Sequence, residues 1–120
     1  MINEKASKIV GIMFMSRTAA HMAHLKTSSY AKHMALNSFY DTVVDMADSI
    51  AEVAQGISGK LDIPYLPLKG DIEDPIEMLD THRKMINTVA KGCDDRALNA
   101  IVDEILGLYS KTLYLLKDLD

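Results

Sequence analysis

The chain has no tryptophan, one cysteine, three prolines and, with five tyrosines and two phenylalanines, few aromatic rings in 120 residues. The lone Cys93 cannot close an internal disulfide, so the chain is not a disulfide scaffold. With no secretory leader recognisable ahead of Cys93, a reducing, cytoplasmic setting is expected. No apolar run approaches the roughly 20 residues that a membrane-spanning helix needs. The net charge is −4 and no basic tail is present, which makes phosphate-driven nucleic-acid binding a poor expectation. Gly-rich phosphate loops, Cys-x-x-Cys pairs and catalytic-triad motifs are also missing. What remains is a 48% hydrophobic, 25% charged chain with eight methionines as adaptable packing material. Its length suits one domain over residues 1–120 with a modest core.

Periodicity predicts an all-α fold of four helices, at about 3–26, 29–56, 75–91 and 95–117. In the first, Ala6, Ile9, Val10, Met13, Phe14, Ala20 and Leu25 recur at helical spacing. Thr27-Ser28-Ser29 offers cap hydroxyls to the second. The third opens on Asp74-Pro75-Ile76-Glu77, a cap, a proline at the first helical position and a glutamate two residues on, and it ends at Gly92. Asp94 or Asp95 caps the fourth, whose apolar face is Leu98, Ile101, Val102, Ile105, Leu108, Thr112, Leu115 and Leu116. Between the second and third helices, Gly59, Pro64, Pro67 and Gly70 exclude a helix. That connection is long enough to run back along a helix, which predicts a crossover and a parallel second and third helix. Four helices with one such crossover form the ferritin-like variety of four-helix bundle.

The second helix carries two stripes. Leu36, Tyr40, Val43, Ala47, Ile50, Ala54 and Ile57 form an apolar one, and His33, Asn37, Asp41, Val44, Asp48 and Glu52 a polar one. His33 and Asp48 are about 22 Å apart along the axis, too far to share a site within one chain. However, 33 and 52, like 37 and 48, are equidistant from the midpoint between residues 42 and 43. An antiparallel two-fold pair of these helices therefore sets His33 against Glu52 and Asn37 against Asp48 of the other copy, the reciprocity of an isologous dimer. Arg17, His21 and His24 share a face of the first helix and meet His33 across the turn. Imidazole nitrogen with carboxylate oxygen suits Fe(II), Zn(II) or Mn(II). The absence of any Glu-x-x-His argues against a di-iron centre inside one bundle.

The segment HMAHLKTSSYAKHMALNSFYDTVVDMADSIAE resembles the ligand-bearing region of the Dps-like mini-ferritins. His21, His33, Asp48 and Glu52 match that pattern in type and spacing, and Lys111 and Tyr114 match its last helix. The resemblance implies an intersubunit ferroxidase-type site, with His21 and His33 from one subunit and Asp48 and Glu52 from another binding Fe(II) or a similar divalent metal. Asn37 stands where the family has a carboxylate, Met22 where it has a tryptophan and Val53 where it often has an arginine. Any enzymatic activity implied is ferroxidase-like, and weak or lost. The chain's length and pattern also resemble uncharacterised short ferritin-like proteins of tailed phages.

A second reading uses the same corner differently. Arg17, His21, His24, Lys26, Lys32 and His33 are a basic cluster in an acidic chain, with Tyr30 and Tyr40 able to stack on a base. They predict capture of a small anionic ligand such as a nucleotide, by an oligomeric module with no chemistry of its own. His82 reads as packing or surface, Cys93 as unactivated, and Asp41, Asp45, Asp94, Asp95, Asp118 and Asp120 as caps and solvated charge.

Overall fold

The computed structural model describes residues 2–68 and 74–119. Four helices contain most of them: α1 (Ile2–Lys26), α2 (Tyr30–Ser58), α3 (Pro75–Ala90) and α4 (Arg96–Asp118). No strand occurs among the described residues. Gly70 and Asp120, assigned roles above as a helix breaker and a solvated charge, lie outside them.

Local chemistry sets the boundaries. Ser29 Oγ accepts from Lys32 N at 3.2 Å, Asp74 Oδ1 from Glu77 N at 3.1 Å and Asp95 Oδ1 from Leu98 N at 3.0 Å, so each helix that follows a connection begins on a side-chain cap. The α2 helix runs two residues past Gly56, because Gly59 adopts φ 90° and donates its N–H to Gln55 O. Gly92, at φ 84°, turns the chain between α3 and α4.

Packing makes these helices a bundle. The α1 helix lies against α2 and α3, and α4 lies against the same two, so α1/α4 and α2/α3 are the diagonals. The 44 Å long dimension matches the length of the 29-residue α2. Lys5 Nζ near the start of α1 donates to Val89 O and Lys91 O at the end of α3, at 3.0 and 2.6 Å, which makes α1 and α3 antiparallel and α2 and α3 parallel. A diagonal, parallel pair needs a connection that travels the length of the bundle, and residues 59–68 begin one along α1. Asn3 Nδ2 donates to Ser58 O at 3.0 Å, Ser7 Oγ accepts from Asp62 N at 3.3 Å, and Pro64 crosses Gly11 so closely that a Cβ there would meet Pro64 O at 3.0 Å.

The core sits where the four faces meet, with Val10, Met13, Leu36, Phe39, Val43, Ile50, Leu79, Ile86, Ile105, Tyr109 and Leu116 closed to solvent. Most of the expected stripe positions are buried, among them Ile9, Val10 and Met13 of α1, Leu36, Val43 and Ile50 of α2 and Val102, Ile105 and Leu116 of α4, and the departures are at single positions. Phe39 rather than Tyr40 fills the centre of α2, Tyr109 rather than Leu108 that of α4, and Phe14, Leu25 and Ile57, expected inside, are exposed. Each of α1, α2 and α4 packs on two neighbours, so residues beside the predicted stripe, such as Phe39 and Tyr109, are buried as well. No described helix is long and apolar enough to cross a membrane.

Candidate functional site

The turn at residues 27–29 is short, so the end of α1 and the start of α2 are held side by side and their histidines meet. The rings of His24 and His33 stack at 3.6 Å and 22°. His24 Nδ1 bonds to the His33 carbonyl oxygen at 2.8 Å, and His33 Nδ1 to the His24 carbonyl oxygen at 2.9 Å. A carbonyl only accepts, so both Nδ1 atoms carry hydrogen, and in the neutral ring Nε2 is left as a lone pair. His21, one turn before His24, stacks on Tyr40 at 4.1 Å and 13°, with its edge toward His24 at 5.9 Å. Tyr40 O–H donates to Asn37 Oδ1 at 2.6 Å, and Asn37 Nδ2 makes a long contact of 3.5 Å to Asp41 Oδ2. Neither nitrogen of His21 has a hydrogen-bond partner among the described residues.

Of the residues singled out by the sequence, His21, His24 and His33 thus form one corner. His24 is its buried centre, between the other two, a place that its minor role in the sequence reading does not give it. Asp48 and Glu52 are exposed, more than four turns further along α2, and have no ion pair among the described residues. Arg17 is exposed on α1, one turn before His21. No group of three or more His, Cys, Asp or Glu side chains able to hold a metal exists among the described residues.

A second polar group, absent from the sequence reading as a unit, lies in the core. Tyr109 O–H of α4 donates to Ser16 Oγ of α1 at 2.7 Å, and Ser16 Oγ pairs with His82 Nδ1 of α3 at 2.7 Å. Burial pushes His82 down from 6.5 to about 4 and raises the Tyr109 phenol above its usual range, so both are neutral at pH 7. Phe39 sets its ring edge-to-face with Tyr109 at 5.0 Å. The sequence signal is a serine, a histidine and a tyrosine each at a core-facing position of a different helix. An apolar groove of about 400 Å³ between α1 and residues 63–68, lined by Phe14, Met15, Ile63 and Tyr65, offers no comparable set of polar groups.

Comparison with known proteins adds lineage. The chain is 29% identical over 113 residues, 93% of its own length and 88% of the other's, to "Uncharacterized 14.6 kDa protein in mobD-ri intergenic region" of Enterobacteria phage T4. This supports the resemblance to phage proteins. No solved structure matches. Residues 24–116 match a family described as "Family of unknown function (DUF5856)", a span that takes in His24, His33, Asp48, Glu52 and His82, and the chain belongs to that family.

Proposed function

We propose that this protein is a ferritin-like, self-associating helical module that binds a divalent metal at its α1–α2 corner, with ligands completed by a second copy. The observation that carries this reading is the hydrogen bond from His33 Nδ1 to the His24 carbonyl oxygen. Metal-binding histidines commonly have one nitrogen tied in this way, which fixes the tautomer and orients the other. The α2 helix is also self-complementary in charge. Its first turns carry Lys32 and His33, flanked by Arg17 and His21 of α1, and its later turns carry Asp41, Asp45, Asp48 and Glu52 with no further Lys or Arg. An antiparallel pair of α2 helices joins the basic end of each to the acidic end of the other. In such a pair His21 and His33 of one copy, with Asp48 and Glu52 of the other, would hold Fe(II) or a similar ion, a donor set that fits it. Asn37, a neutral group among them, weakens ferroxidase chemistry relative to binding. The diagonal placement of parallel helices α2 and α3 supports the ferritin-like reading.

Metal titration of chelator-free protein, followed by calorimetry and sedimentation, tests this reading. Fe(II) should bind a dimer, and Glu52→Ala and His33→Ala should each weaken binding at least about tenfold. Binding unaffected by Glu52→Ala would reject the shared site. The alternative, a module that sequesters a small anion such as a nucleotide, draws support from Arg17 and the stacked His21 and Tyr40. It predicts binding lost in Arg17→Ala and competed by salt, neither of which should affect Fe(II) strongly.

A further inference from the structure

The α3 helix is held differently from its neighbours. It is the shortest of the four, at 16 residues, and buries only Leu79, His82 and Ile86. It touches α1 and α4 but not α2, whereas α2 packs on both α1 and α4. Removal of α3 therefore leaves three helices joined through α2. One of its three buried side chains is ionisable, and the hydrogen-bond chain on which that side chain ends has a direction. Tyr109 gives its proton to Ser16 Oγ, and Ser16 can then give its own to an unprotonated His82 Nδ1.

We propose that α3 is a proton-released helix, latched onto α1 and α4 through Ser16, His82 and Tyr109 and unlatched in acid. A second proton on the His82 ring puts N–H groups at both nitrogens. Two donors then converge on Ser16 Oγ, and the Ser16 hydroxyl loses its acceptor. The new positive charge also finds no counter-ion among the described residues. Among the described residues, the polar group bonded to His82 is Ser16 of α1, with Tyr109 of α4 one hydrogen bond further on, both neutral, and the acidic Asp80 of α3 is already bonded to Arg83 and Lys84 at 2.9 and 3.0 Å. Swinging out to water relieves both penalties, and because His82 is part of the seat of α3, it takes the helix with it.

Burial alone depresses the His82 ring, from 6.5 to about 4, so release is linked to uptake of one proton between those values. Native-state hydrogen exchange of the full chain, measured against low denaturant at pH 7.5 and 5.0 and corrected for intrinsic rates, tests the proposal. Amides of α3 should exchange through an opening of their own, with a denaturant slope under about half that of α2 amides, which await global unfolding. The equilibrium constant of that opening should rise about 30-fold from pH 7.5 to 5.0. Global opening rises by the same factor, since His82 is solvated in both open states, so the denaturant slope separates the two. In His82→Leu the pH dependence of the α3 opening should vanish. If that variant does not fold, Tyr109→Phe, which leaves Ser16 and His82 paired, must still open first at α3 in acid. An α3 that follows the α2 isotherm at every denaturant concentration, or an α3 opening indifferent to pH, overturns the proposal.

Discussion

The α1–α2 corner and the bundle centre each tether histidine through Nδ1, yet the partners leave the rings in opposite states. At the corner the partner is a backbone carbonyl, which fixes hydrogen on Nδ1 of His24 and His33 and leaves the lone pair of the neutral ring on Nε2. In the centre the partner is Ser16, whose hydroxyl already accepts from Tyr109 and is left free to donate, so His82 Nδ1 is the acceptor. The corner imidazoles lie at the end of two helices, with His21 and His33 only partly covered, and the central one is enclosed by packing. Residue type alone does not separate these roles; the partner atom and the depth do.

The largest effect that sharpens this contrast comes from Phe39, the fully buried ring against Tyr109. Phe39→Ala should cost about 4 kcal/mol in denaturant unfolding, whereas His21→Ala at the corner should cost less than about 1 kcal/mol. Similar losses at both sites would abolish the distinction between a ring built into the core and one held at the end of two helices.

Acid is the next test. Because folding lowers the His82 value from 6.5 to about 4, the unfolded chain binds the proton more readily, and stability present above pH 6.5 is lost as pH falls toward 4. The loss should approach about 3 kcal/mol, read as the urea midpoint against pH, and His82→Leu should flatten that part of the profile. A profile unchanged by His82→Leu would show that the central ring is not sealed.

Smaller effects compare the two phenols. Tyr109→Phe removes a buried donor from Ser16 and should cost about 1 to 2 kcal/mol, while Tyr40→Phe, which removes a half-buried bond to Asn37, should cost about 0.5 kcal/mol, both measured by thermal melts. Reversal of that order would place the tighter polar network at the corner.

Much of this architecture could be read from the chain. Capping residues Ser29, Asp74 and Asp95 announce three helix starts, and the spacing of prolines and glycines after residue 56 announces the crossover. The corner was legible too, because a three-residue turn leaves His21, His24 and His33 no choice but to be neighbours. Harder to read were single positions at the edges of the stripes. Tyr40 and Phe39 are adjacent, and a helical repeat of 3.6 residues lets either head the apolar stripe; the packing of α2 between α1 and α4 selects Phe39.

The sequence by itself determined the elements, their ends and the proximity of the corner histidines, since each depends on interactions within a few residues along the chain. Tertiary structure alone decided that His24 lies between His21 and His33, and that Ser16, His82 and Tyr109 meet in the core. Those contacts join residues 66 and 93 positions apart between Ser16 and its two partners. At such separations nothing local fixes which side chains touch; the diagonal arrangement of the helices does.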